Sequence, residues 1–78
     1  MEMICISDNI ETAIGFRLSG INTFIAKNKE EINECLENTL KNKNIGIIVV
    51  TEKIFEICKE EINKIRNEYN LPLIVNVP

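Results

Sequence analysis

The chain has 78 residues, nine Lys and Arg against twelve Asp and Glu, a formal charge of -3 and no histidine. So short a chain supports one small domain with one core, residues 1–78, and leaves no room for a second. Its scattered basic residues, outnumbered by acidic ones, exclude a nucleic-acid partner, which needs clustered Lys and Arg. No apolar run approaches the roughly 20 residues needed to cross a bilayer, so no direct membrane insertion is expected.

In chain order, Met3 to Ser7 is a short apolar run, too short for a secretory signal and preceded by Glu2 where positive charge would be needed. A cytoplasmic location is the expectation. Asp8 followed three residues later by Glu11 predicts a helix start, with the helix running to about Leu18 and Ser19-Gly20 as its stop. Asn22 to Ala26 reads as a weaker strand. Asn28 with Glu31 repeats the capping pattern before Ile32, Cys35, Leu36, Thr39 and Leu40, which line one helical face. Ile45 to Val50 is apolar at every residue except Gly46, as expected of a strand covered on both sides. Thr51 is placed to cap a third helix, whose Ile54, Ile57, Cys58, Ile62, Ile65 and Tyr69 recur at helical spacing. Leu71-Pro72 ends that helix, because proline disfavours helical backbone in the residue before it, and Leu73 to Val77 is the last strand.

Strands alternating with helices imply parallel pairing through right-handed crossovers. The predicted fold is therefore a small three-layer, doubly wound α/β domain with a four-stranded parallel sheet and helices on both faces. The two most apolar strands, the first and third, belong inside, which gives the order 2-1-3-4 with the second and fourth at the edges.

Such a sheet invites a search for ligands at the carboxyl ends of its strands. Neither a G-x-G-x-x-G nor a G-x-x-x-x-G-K-[ST] is present, so no nucleotide or other cofactor is expected. Cys5, Cys35 and Cys58 are widely separated, with no C-x-x-C and no histidine to complete a zinc site; they read as small core fillers, and no metal is expected. A receiver-like signalling domain would gather carboxylates at the strand ends, yet Asp8 is the sole aspartate and the third strand ends in Thr51. Without histidine, or a base beside Ser7, Ser19 or the cysteines, nothing assembles catalysis, and no catalytic residue is assigned.

The first helix carries one irregularity. At about 100° per residue, Ile10, Ala13, Ile14, Phe16 and Leu18 fall in a broad apolar arc with Arg17 inside it. Arg17 must snorkel or find a partner, and its charge complements the helix dipole at the last turn. Phe16, Arg17 and Phe55 are the candidate protein-interface residues, since aromatics and Arg are enriched at binding hot spots. Close packing of backbone on backbone is the expected reason for Gly15.

The segment Thr12-Ala13-Ile14-Gly15-Phe16-Arg17-Leu18-Ser19-Gly20-Ile21, a threonine followed by Gly-Phe-x-Leu-x-Gly, resembles the signature of the F subunit in the central stalk of rotary V/A-type ATPases, called the G subunit in some sodium-translocating bacterial enzymes. Ile45 to Glu52 is similar to that family's third strand and helix start, and Leu71 to Pro78 to its fourth strand. The resemblance implies a rotor part without an active site of its own. Such a part binds the coiled-coil D subunit of the stalk, meets the A/B headpiece or the membrane-sector connector, and modulates ATP hydrolysis or synthesis coupled to proton or sodium transport. Its place is peripheral to the membrane. Family members usually continue past the fourth strand into a carboxyl-terminal helix, whereas this chain stops at Pro78. The expectation is thus the amino-terminal domain of an F-subunit-like protein without its tail, with a receiver-like or small-ligand-binding domain as the alternative.

Overall fold

The structure, a computed structural model, describes residues 1–78. Its elements are β1 (Glu2–Ser7), α1 (Ile10–Leu18), β2 (Asn22–Ile25), α2 (Lys29–Lys41), β3 (Ile45–Thr51), α3 (Glu52–Ile57), α4 (Lys59–Glu68) and β4 (Leu73–Val77). All strand pairs are parallel and the order is β2-β1-β3-β4, as the pattern of apolar runs predicted. One register irregularity lies between Glu2 and Met3, which pair with Ile45 and Ile47 and leave Gly46 unmatched.

Local chemistry explains most element ends. Helix α1 stops in a Schellman motif: Gly20 has φ 86°, Gly20 N donates to the Arg17 carbonyl and Ile21 N to the Phe16 carbonyl, both at 3.0 Å. Helix α2 starts as expected, with Asn28 Oδ1 accepting from Glu31 N at 2.9 Å. The reciprocal arm shifts by one residue, since Glu31 Oε1 accepts from Lys27 N at 2.7 Å.

Three sequence expectations need correction. Asp8 does not cap α1; Asn9 does, its Oδ1 accepting from Thr12 N at 3.0 Å, so the helix starts one residue later. Thr51 stands at the N-cap position of α3 but makes no cap bond, because its hydroxyl is engaged elsewhere. The expected third helix is two helices, α3 and α4, broken at Cys58 with φ -119° and ψ 35°. The apolar spacing runs through this break without a gap, so periodicity alone could not reveal it.

The register sorts the strand residues onto two faces, because paired residues of a parallel ladder point the same way. Ile4, Ile6, Ile48, Val50 and Ile74 share one face. With Ala26, Ile32, Leu36, Ile54, Cys58, Ile62 and Ile65 they form a single cluster of 12 buried residues, so α2, α3 and α4 all serve this side. An exposed ion pair, Lys29 Nζ to Glu61 Oε2 at 3.1 Å, bridges α2 and α4 across it. The other face carries Met3, Cys5, Ser7, Thr23, Ile47, Val49, Leu73 and Val75, and only α1 packs there, against β1 and β2.

Helix α1 is also less buried than its sequence implied. Ala13 is its only buried residue, while Ile10, Ile14 and Leu18 remain 56%, 48% and 84% exposed. One helix resting on one layer of strands covers a narrow stripe, so the broad apolar arc reaches solvent. Gly15 does not mark a close approach, since a Cβ there would meet nothing within 4 Å.

Ile48 is fully buried at the centre of the larger core. Ile48→Ala should remove about 2–5 kcal/mol, which lowers the thermal midpoint by at least about 8 °C in a domain of this size. Circular dichroism melting measures this, and a smaller fall would contradict the central placement of β3.

Candidate functional site

At the carboxyl ends of β1 and β3, where a doubly wound sheet offers its usual ligand crevice, the polar groups bind one another. Ser7 Oγ donates to the Asn9 carbonyl and accepts from Asn9 N, both at 3.0 Å. Thr51 Oγ1 donates to Asp8 Oδ1 at 2.8 Å, linking residues 43 apart in sequence. Asp8 therefore serves as a clasp between two strand ends. Nowhere does the chain gather three or more His, Cys, Asp or Glu side chains in metal-binding proximity.

The cysteines take structural places. Cys5 and Cys58 are buried and Cys35 is half-buried on α2. Burial pushes the Cys5 thiol up to about 11. Burial raises Cys35 and Cys58 as well, with neighbouring glutamates adding to it. All three therefore favour the protonated thiol, the unreactive form.

What the fold leaves unfinished is apolar. On the α1 side, α1 covers β1 and β2, while no helix lies over β4 and the adjoining part of β3. Leu73 and Val75 are 56% and 45% exposed there, and Met3 is 39% exposed. On the opposite face, Ile74, between Leu73 and Val75, is only 7% exposed. The contrast along one strand shows that helix coverage, rather than strand composition, leaves this side open.

The three interface candidates fall in different places. Arg17 has found a partner: its Nε and Nη2 donate to the Thr23 carbonyl at 3.3 and 2.8 Å, which fixes that flank of α1 over β2. Relative to the buried Ala13, Phe16 lies on the opposite flank at about 100° per residue. Half-buried Phe16 is thus turned away from β2, on the flank opposite Arg17. Phe55 sits on the closed side, packed against the core and lying 5.3 Å from the Arg66 guanidinium stacked over its ring.

Met3, Leu73 and Val75 were not among the candidates. Their signal was present in the helix count, since three helical stretches cannot cover both sides of four strands, but each residue alone reads as ordinary strand core.

A family model described as "ATP synthase (F/14-kDa) subunit" matches residues 3–78. The chain belongs to this ATP synthase subunit family. Among its relatives, the F subunit of the A-type ATP synthase of Methanocaldococcus jannaschii is 38% identical over 69 residues, covering 87% of this chain and 65% of that protein. The F subunit of Methanosphaera stadtmanae is 37% identical over 76 residues, covering 96% of this chain and 71% of that protein. That of Methanothermobacter thermautotrophicus is 30% identical over the same lengths and shares. The chain therefore spans roughly two thirds of the length of these relatives, 65% and 71% in the first two. Family membership favours the ATP synthase reading over a receiver-like one, and no helix is long and apolar enough to cross a membrane.

The Asp8–Thr51 clasp makes a separate expectation. Thr51→Val and Asp8→Ala should each destabilise the domain by about 1 kcal/mol, and together by clearly less than the sum, because the second change removes a bond already lost. Denaturant titration of the single and double variants measures the coupling; additive losses would show that the bond contributes nothing.

Proposed function

We propose that this chain is a non-catalytic component of the central stalk, or rotor, of a rotary A/V-type ATPase. In this reading it docks on the coiled-coil D subunit and turns with it inside the A/B headpiece. It contributes to coupling or regulating ATP hydrolysis or synthesis with proton or sodium transport, and sits at the cytoplasmic side, peripheral to the membrane. Family membership supports the assembly, and the open apolar half of the sheet supports the docking.

The observation that carries the docking surface is the exposure of Met3, Leu73 and Val75 on a sheet whose other face is closed over β1, β3 and β4 and open only at Phe24 of the edge strand β2. Contiguous apolar surface of this kind marks association sites, and helices are what normally cover a parallel sheet. A helical coiled coil is a fitting cover, because it places one apolar stripe over two strands. Phe16 stands at the border of this surface and supplies an aromatic rim. Arg17 and Phe55 lie outside it, engaged with Thr23 and Arg66. An interface near the low end of the usual range, about 1,200 Å² in total, gives modest affinity.

Calorimetric titration of the purified coiled-coil partner into the chain tests this reading, with circular dichroism checking each fold. Val75→Glu buries a carboxylate in the contact and should weaken binding at least about tenfold, or 1.4 kcal/mol; Phe16→Ala should weaken it less. Glu37→Lys, an exposed site on α2 behind the closed face, should leave it unchanged. Equal affinities for Val75→Glu and the wild type would remove the open face from the interface, and no binding by the wild type would overturn the stalk assignment.

A further inference from the structure

Arginine occurs twice in this chain, at Arg17 and Arg66, and the two residues do the same thing at opposite ends of the sheet. Each lies one helical turn after a residue fully buried beneath its helix, Ala13 for Arg17 and Ile62 for Arg66. Each donates to a main-chain carbonyl of an edge strand. Arg17 reaches Thr23 of β2, and Arg66 Nη2 reaches the Ile74 carbonyl of β4 at 2.7 Å and Asn76 Oδ1 at 2.8 Å.

Ladder geometry shows which way the β2 carbonyl points. Ala26 N donates to the Ser7 carbonyl at 3.0 Å, so Ala26, Phe24 and Asn22 direct their main-chain groups toward β1. Thr23 and Ile25 alternate with them and face outward. The Thr23 carbonyl is therefore one of the groups that a further strand would have to pair with. On β4, Arg66 projects from the helix that delivers the chain into that strand and occupies the Ile74 carbonyl in the matching way. Stacking over Phe55 at 5.3 Å and the bond to Asn76 hold its guanidinium in place.

We propose that Arg17 and Arg66 are paired plugs that close the two free edges of the sheet against strand addition by a second copy of the chain. Unpaired edges are templates for pairing, and a charged group held across the outward carbonyl of a short edge strand prevents the ladder from extending. Arginine suits this role because its planar fork donates at a fixed angle and is more weakly hydrated than an ammonium group. The lysines present elsewhere would leave such an edge for solvent more readily. With both edges closed, association is confined to side-chain surfaces, which is what a part that docks by one face requires.

Light scattering after size-exclusion chromatography tests the proposal on the wild type, Arg17→Ala and Arg66→Ala at rising protein concentration, with circular dichroism confirming each fold. The wild type should keep the 8.9 kDa monomer mass. Each variant should shift toward twice that mass as concentration rises. In the Arg17→Ala dimer, hydrogen exchange should show new protection at the outward amides of Thr23 and Ile25. Should Arg66→Ala fail to fold, Arg17→Ala, at an exposed position, decides alone. A folded Arg17→Ala chain that stays monomeric throughout, or that dimerises without protecting Thr23 and Ile25, overturns the proposal.

Discussion

The parallel ladder between β1 and β3 governs this molecule. Each of these strands is hydrogen-bonded on both sides, and their paired residues, Ile4 with Ile48 and Ile6 with Val50, fix which side chains share a face. Once that register is set, every odd-numbered strand residue from Met3 to Ser7 and from Ile47 to Thr51 is committed to the α1 side. A one-residue slip would exchange the two faces and move the core into solvent. Right-handed crossovers then place α1 in front and the other helices behind, so coverage is unequal from the outset. The Asp8–Thr51 bond fastens the two ladder strands at their far ends, where the chain leaves the sheet for α1 and α3.

Unequal coverage connects fold to function. Behind the sheet, α2, α3 and α4 complete a core in which Ile6, Ile32, Ile48, Ile54 and Ile62 are fully excluded from water. In front, where only α1 is present, Cys5 and Val49 are buried but Met3, Leu73 and Val75 remain wet. An apolar side chain left about half exposed forgoes much of the roughly 25 cal/mol per Å² that burial contributes. On the proposed docking, a partner surface would recover it, so an incomplete layer would store binding energy at a small cost to the isolated domain.

Much of the architecture was legible in the sequence because it rests on short-range signals. Alternation of apolar runs and helical stripes gave the element order, the strand order and the ends at Gly20 and Asn28. Competition between neighbouring polar groups was not legible. Asp8, Asn9 and Thr51 all have side chains able to cap a helix, and only the approach of β1 to β3 shows that Asp8 and Thr51 bind each other while Asn9 caps. The break at Cys58 was hidden for a related reason, since α3 and α4 keep one apolar stripe across the interruption. Arg17 could be seen to need a partner, but the Thr23 carbonyl became visible only with the strand edge in place. The open half-face was hidden by scale: it is a property of the layer, and Leu73 or Val75 read singly looks like core.

On the proposed reading, the uncovered part of the sheet around Ile47, Leu73 and Val75 docks on the shaft. Methyl NMR of the Ile, Leu, Val and Met side chains during addition of the unlabelled coiled-coil partner reads this most directly. Met3, Ile47, Leu73 and Val75 should shift or broaden while Ile32, Leu36 and Ile62 behind the sheet hold still. Shifts confined to the α2 and α4 side, with Leu73 and Val75 unmoved, would contradict it.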